Sequence, residues 1–174
     1  MAHLRVTTTH DLNDVRNIHL SAFPDSENKI VSTLAVNLLK EETSLSLVAE
    51  IDGATVGHII FSPVTIDNKS NWTGMILSPV AVTPRYQKQQ IGSEMIKTGI
   101  KRLTKMGTNV LFVYGDPAYY GRFGFNADLA AAYSPAYELE HPAGWQAIML
   151  NQFNLKETLV NLTCVEALNN RALW

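Results

Sequence analysis

Apolar residues along the chain switch repeatedly between a strand period and a helix period. Leu4 to Thr7 reads as a short first strand. Asp11 then precedes Leu12, Val15, Ile18 and Ala22, and the three-to-four spacing behind an acidic start predicts a helix, ended by Phe23-Pro24-Asp25. Ile30, Val31, Leu34, Ala35, Leu38 and Leu39 form a second amphipathic face that stops near Lys40. Leu45, Leu47, Ala49 and Ile51 follow at period two. Asp52-Gly53 separates them from the apolar run Ala54 to Val64, which is the signature of a hairpin. Val56, Ile59, Ile60 and Phe61 are apolar at both parities, so this second arm reads as a central strand covered on both faces.

A further strand is predicted from about Trp72 to Val82. Pro79 within it has no N–H for a ladder, which predicts a bulge or a splayed edge there. Ile91, Met95, Ile96, Ile100, Leu103 and Met106 mark a helix of about four turns closed by Gly107. Val110 to Tyr114 is a short strand. After Gly115, Asp116 at the N-cap and Pro117 at the first helical position open a short helix. Beyond Asn126 the pattern weakens, and it predicts two strands near Tyr137 and Ile148 and a terminal helix from about Leu155 to Asn169. Alternating helices and strands of this kind belong to an α/β or α+β domain.

The chain has 174 residues, the length of one domain, and 46% of them are hydrophobic against 17% charged, which excludes a disordered or coiled-coil chain. A formal charge of −2 argues against a nucleic-acid binder working through bulk basicity. Cys164 is the only cysteine, so an internal disulfide and a multi-cysteine metal site are both ruled out. No apolar run approaches the ~18 residues that span a bilayer. The expectation is a cytoplasmic protein with no membrane and no nucleic-acid partner; a homodimer is left open.

The chemistry concentrates in one strand–loop–helix stretch. Met75 to Val82 leads into Thr83-Pro84-Arg85-Tyr86-Gln87-Lys88-Gln89-Gln90, and Ile91-Gly92-Ser93 opens the long helix. The free amides and dipole of a helix N-terminus attract anions, Gly92 permits close approach, and Arg85 and Lys88 add positive charge. The residues read either as a phosphate or pyrophosphate cradle or as an ordinary exposed loop capped by a helix. No Walker loop and no G-x-G-x-x-G occurs.

Val80-Ala81-Val82-x-Pro84-x-Tyr86-Gln87-x-x-x-Ile91-Gly92 resembles motif A of the GNAT N-acetyltransferases, whose Arg/Gln-x-x-Gly-x-Gly/Ala loop holds the pyrophosphate of acetyl-CoA. Gly115-Asp116-Pro117-Ala118-Tyr119-Tyr120-Gly121-Arg122-Phe123-Gly124-Phe125 resembles the Tyr-x-x-x-Gly-Phe end of the same fold, in the wording of its YhbS-like branch, as do Val56-Gly57-His58-Ile59 and Phe61-Ser62-Pro63-Val64. The resemblance covers about residues 4 to 150. It implies a single α+β domain over residues 1–174: a three-layer GNAT fold with a mixed, mostly antiparallel sheet, helices on both faces and a splay between the fourth and fifth strands. It also implies acetyl-CoA as cosubstrate and transfer of acetyl to an amine of a small molecule or a protein by direct attack. The alternative is a non-catalytic acyl-CoA-binding regulatory domain of the same fold. A nucleotide-binding interaction module is a third class, which the missing fingerprints oppose.

The resemblance also assigns roles. Val80, Ala81 and Val82 would offer main-chain groups to the pantetheine arm, and the amides of Gln87, Lys88, Gln89, Gln90, Ile91, Gly92 and Ser93 would hold the pyrophosphate. Gln90 departs from the family, which has glycine there; if its φ is positive, the departure costs roughly 1 kcal/mol. Tyr120, four residues before Gly124, would be the acid that protonates the leaving thiolate, against its reading as a core aromatic with Phe123 and Phe125. For the base, His58 is a candidate by its ordinary pKa, but its strand position equally suits a buried structural histidine. Glu27 and Asp116 are weaker candidates, each with a capping or first-turn explanation. Arg122 reads as a contact to the 3′-phosphate of CoA or as a solvated side chain. Cys164, at helical spacing with Leu162 and Val165, reads as core rather than as a nucleophile.

Overall fold

A computed structural model describes residues 1–67, 71–155 and 159–174. Among the described residues eight strands form the sheet, and six of them hydrogen-bond in the order β1-β2-β3-β4-β5-β7. They are β1 (His3–Val6), β2 (Leu45–Ile51), β3 (Ala54–Ile66), β4 (Gly74–Val82), β5 (Val110–Tyr114) and β7 (Trp145–Met149). The short β6 (Tyr133–Ser134) pairs with β8 (Val160–Cys164), which also pairs with β3. The β1–β2, β2–β3, β3–β8 and β5–β7 ladders are antiparallel, and β4–β5 is parallel. This is the mixed, mostly antiparallel sheet expected. The helices are α1 (Leu12–Ala22), α2 (Asn28–Leu38), α3 (Ile91–Lys105) and two single turns, α4 (Pro117–Tyr120) and α5 (Ala127–Ala130).

Two compact units divide the chain: residues 1–61 with 78–99, and residues 62–77 with 100–174. In the first, β2 and β3 turn at Asp52 (φ 50°) and Gly53 (φ 79°), two successive left-handed residues, as the Asp-Gly signal requires. Neighbouring residues of β3 point to opposite faces. A methyl on Gly57 would lie 3.0 Å from Met95 of α3, whereas His58 meets His19 of α1. Helices therefore cover both faces of β3 within this unit. Val15 of α1, Ala35 of α2 and Val48 of β2 form one closed cluster, with Leu39 against it. On the other face Gly99 of α3 leaves room for the Phe61 ring, which a methyl there would strike.

In the second unit the core is aromatic. Phe112 stacks on Trp145 (5.2 Å between centroids) and meets Tyr133 edge-on (4.9 Å), while Trp72 lies 5.8 Å from Tyr133. Trp145 Nε1 donates to the Tyr133 carbonyl at 3.0 Å, so the buried indole is satisfied. These tryptophans, without a readable pattern in sequence, are core residues.

Two expectations for the C-terminal third fail. The strand lies at Tyr133–Ser134 and not at Tyr137: Pro135 removes the next donor and ends it, and the Tyr137 ring packs 6.3 Å from that of Trp174. The expected helix from Leu155 to Asn169 is instead β8 followed by a helical turn at Glu166–Leu168. Its burial alternates, with Leu162 and Cys164 inward, so period two and the β-branched Val160 and Thr163 outweigh the apparent helical spacing. The part of that expected helix on residues 156–158 lies outside the described residues. Cys164 is core, as expected, but on a strand, opposite Val64.

Candidate functional site

The β4–β5 ladder runs only from Gly74↔Val110 to Leu77↔Val113. Ser78 to Val82 continue β4 beyond it, with Ser78, Val80 and Val82 half-buried and Pro79 and Ala81 buried. Pairing with β5 thus stops after Leu77, two residues short of Pro79, whose missing N–H predicted an interruption in this strand, and main-chain groups of Val80 to Val82 extend past the ladder.

A turn at Pro84–Tyr86 follows. Tyr86 N–H donates to the Thr83 carbonyl and Gln87 N–H to the Pro84 carbonyl at 3.3 Å. The Gln87 side chain returns to the Val82 carbonyl at 2.9 Å, and Gln89 Nε2 reaches the Arg85 carbonyl at 3.3 Å. The Gln87 amide is therefore spent inside the turn, and its side chain ties the loop to the end of β4. Lys88 and Gln90 both lie in the left-handed region, at φ 61° and 65°. Left-handed Gln90 followed by the right-handed start of α3 at Ile91 turns successive N–H groups to one side, the geometry of an anion nest. Helix α3 begins at Ile91, and its first turn closes with Glu94 N–H to the Gln90 carbonyl at 2.9 Å. The amides of Ile91, Gly92 and Ser93 come before that bond and belong to the unsatisfied helix start. The residues from Lys88 to Ser93 fit a pyrophosphate. Gln90, a non-glycine residue at positive φ, carries the strain that its departure from the family raised as a question.

Tyr120 belongs to the second unit. Asp116 caps α4 by accepting from Ala118 N–H at 2.9 Å, and Pro117 occupies the first helical position. The turn ends at Gly124, at φ 95°. The Tyr120 ring packs on Gly115, where a Cβ would lie 2.5 Å from it, and edge-on to Tyr119 (5.0 Å) and Phe125 (5.9 Å). Its hydroxyl makes no hydrogen bond among the described residues. Burial, with Tyr119 and Asp116 adding to it, pushes the phenol above its ordinary range, so it stays protonated at neutral pH. Both readings of Tyr120 are thus physically compatible: the half-buried ring packs on its aromatic neighbours and the hydroxyl is uncommitted. Arg122 lies 4.5 Å over the Tyr119 ring and donates to the Tyr119 carbonyl, so it is engaged within the motif.

His58 is fully buried and has both ring nitrogens engaged. Nε2 lies 2.9 Å from Ser46 Oγ, and Nδ1 lies 2.8 Å from His19 Nε2. Any proton His58 exchanges with an acceptor must therefore pass through one of those two neighbours. Burial pushes His19 down to about 4, and burial, then the neighbouring His19, pushes His58 well below its ordinary value. His19 and Ser46 were invisible as partners in sequence, because they stand 39 and 12 residues from His58. Also missed was a cluster behind them. Arg5 clamps Asp11 through two bonds of 2.8 and 2.7 Å and reaches Glu50 at 2.7 Å, and this holds both carboxylates below their usual range. Glu27 precedes α2 without making a side-chain cap.

Among the described residues no group of three or more His, Cys, Asp or Glu side chains could hold a metal, and no helix is long and apolar enough to cross a membrane.

A family model for the acetyltransferase (GNAT) domain matches residues 3–127. The chain is 37% identical over 147 residues, 80% of each chain, to the uncharacterized N-acetyltransferase YjhQ of Escherichia coli strain K12. A GNAT family acetyltransferase from Brucella melitensis, solved in complex with acetyl-CoA, superposes with a TM-score of 0.71 at 28% identity, covering 96% of this chain and 97% of that one. The fold is also that of Escherichia coli YhbS, solved in complex with CoA: TM-score 0.85, 24% identity, 98% of this chain and 93% of the other.

Proposed function

The chain belongs to the GNAT acetyltransferases, and on that premise we propose that it binds acetyl-CoA through Val80–Val82 and the amides of Lys88–Ser93 and acetylates an amine, with Tyr120 as the proton donor. The observation that carries the reading is the left-handed pair Lys88 and Gln90 immediately before the open amides of α3.

Acetyl-CoA supplies, when bound, an acetyl group activated as a thioester. The chain's own residues do the rest. The nest and the start of α3 hold diphosphate charge. The β4 main chain beyond Leu77 gives the pantetheine amides donors and acceptors. The Tyr120 hydroxyl, kept protonated by its surroundings, gives its proton to the leaving sulfur. The acceptor is an amine of a small molecule or of a protein, and it must arrive at the thioester without its ammonium proton. The cytoplasm is the proposed compartment, which a single buried cysteine fits.

Thermal unfolding with added acetyl-CoA tests the binding. At a hundredfold excess over Kd, linkage adds about 2.7 kcal/mol, a rise in Tm of a few degrees for a domain of this size. ATP at the same concentration is expected to give a smaller rise. No shift with millimolar acetyl-CoA would remove the cofactor assignment.

A further inference from the structure

Four side chains of the first unit form one continuous hydrogen-bonded file. Thr7 Oγ1 lies 2.6 Å from Ser46 Oγ, Ser46 Oγ 2.9 Å from His58 Nε2, and His58 Nδ1 2.8 Å from His19 Nε2. The two ends differ. At one end, Thr7 and Ser46 line a cavity of about 380 Å³ whose wall also holds Thr8, Ser44, Glu41 and Glu42. At the other, His19 Nδ1 is buried and has no partner among the described residues. His19 itself is wholly buried, near the end of α1, with Phe23 stacked 6.0 Å from its ring.

Each member of the file can accept a proton on one atom and release one from the same or the opposite atom. A neutral imidazole carries one N–H, so the His19–His58–Ser46 bonds run in one of two senses, and the Thr7–Ser46 bond can continue either. In one, His19 Nε2–H donates to His58 Nδ1, His58 Nε2–H to Ser46 and Ser46 to Thr7, leaving a lone pair at His19 Nδ1. In the other every bond runs in reverse and His19 Nδ1 carries the proton. The two interconvert by passing one proton through the file. An unpaired buried nitrogen is costly if its only purpose is to pack α1 on the sheet. It is the required terminus if protons enter there.

We propose that His19, His58, Ser46 and Thr7 are a proton conduit that carries the proton shed by the acceptor amine from His19 Nδ1 to water in the cavity at Thr7. The balance closes. A proton arrives on His19 Nδ1, His19 Nε2–H passes to His58 Nδ1, His58 Nε2–H to Ser46 Oγ, Ser46 O–H to Thr7 Oγ1, and Thr7 O–H to water. One proton enters, one leaves, and no bond to a heavy atom other than these changes. The amine is left with the free pair that attack on the thioester needs. The charges around the file are few. Asp11, held by Arg5, favours positive charge on His58, and the two imidazoles disfavour it on each other. Lys40, Glu41 and Glu42 line the outlet. Low basicity of the two rings suits transfer, because neither retains the proton. The source of the proton rests on the acetyl-transfer reading; the conduit does not.

Two variants interrupt the file at its outer half, Ser46→Ala and the half-buried Thr7→Val, and Ser46→Thr restores a hydroxyl. With ¹⁵N-histidine-labelled full chain, solvent exchange of the buried imidazole N–H is measured by NMR. The conduit predicts exchange at least tenfold slower in Ser46→Ala and in Thr7→Val than in the wild type, and recovered in Ser46→Thr. If Ser46→Ala fails to fold, Ser46→Cys, whose thiol is a much weaker hydrogen-bonding link, is read in its place, because Ser46 itself reaches the cavity. Exchange indifferent to the lost hydroxyls overturns the conduit. In turnover with an amine that the wild type acetylates, Ser46→Ala is expected to lose ten- to a hundredfold at pH 7 with unchanged acetyl-CoA affinity, and to recover as pH approaches the pKa of the amine. A loss equal at every pH overturns the role of the conduit in acetyl transfer. Relayed exchange in a wild type that acetylates no amine removes the amine as proton source, and the acetyl-transfer reading with it, while the conduit stands.

Discussion

The buried histidine pair makes the stability of this protein depend on mild acid. His19 is held at about 4 against an ordinary 6.5, and His58 is held well below its ordinary value, both first by burial. The sign follows from which state binds protons. Below pH 6.5 the unfolded chain protonates both rings while the folded chain keeps them neutral, so unfolding gains free energy as pH falls. The stability is complete above the unfolded pKa and is lost as pH drops from about 6.5 toward about 4. One neutral histidine with an unfolded pKa of 6.5 loses about 1.4 kcal/mol between pH 7.5 and 5.5, so the pair loses about 2.7 kcal/mol. Carboxylates do not confuse this window. Asp11 and Glu50 are lowered by Arg5, and their contribution persists until pH falls below the ordinary carboxylate range. Urea denaturation at pH 7.5, 6.5 and 5.5, with the m-value held constant, reads the effect directly. For a domain holding roughly 5–15 kcal/mol, a loss of this size is a large shift in midpoint. His58→Gln removes one titration, and it is expected to be less stable at every pH yet to lose only about half as much between 7.5 and 5.5. A wild type equally stable at pH 7.5 and 5.5 would refute the reasoning, because it would mean that the pair titrates normally in the folded state.

Two further substitutions address the site. Tyr120→Phe keeps the ring on Gly115, Tyr119 and Phe125 and removes a hydroxyl with no internal partner, so Tm and acetyl-CoA affinity should hold while turnover falls on the order of a hundredfold; undiminished turnover would leave Tyr120 as a packing residue alone. Gln90→Gly relieves about 1 kcal/mol of left-handed strain and adds about 0.5–1 kcal/mol of unfolded-chain entropy, so global stability should barely move. Calorimetry is expected to show acetyl-CoA bound up to about threefold more tightly, since the amide remains and the side chain goes; tenfold weaker binding would mean that the Gln90 side chain itself holds the ligand.

Legibility in the sequence followed the range of the interaction. The first two helices, the Asp52-Gly53 hairpin, the long α3 and the Asp116-Pro117 start are set by neighbours within four residues, and each was readable within a few residues of its true bounds. The interruption of β4 was also local, because Pro79, two residues past the end of the ladder, lacks a donor. The C-terminal third is different. Leu162 and Cys164 point inward because β8 pairs with β3, and the partner Val64 lies a hundred residues earlier, so no local period decided between helix and strand.

The candidate site divides in the same way. Its phosphate loop is a contiguous motif, and only the backbone at Lys88 and Gln90 had to be seen. The histidines are not contiguous. His58 was visible as a residue of suitable pKa, but its chemistry is set by His19 from α1 and Ser46 from β2, whose hydrogen bonds occupy both its ring nitrogens. A histidine with both nitrogens engaged in a dry interior is a poor base for a substrate that touches it. It is a competent link between two other atoms, provided each can both take and give a proton. Ser46 and His19 meet that condition, whereas alanine or phenylalanine at either place would leave His58 with an unsatisfied nitrogen and no route for a proton. The choice between a structural and a chemical histidine therefore turns less on His58 than on its neighbours, and above all on the unpaired Nδ1 of His19.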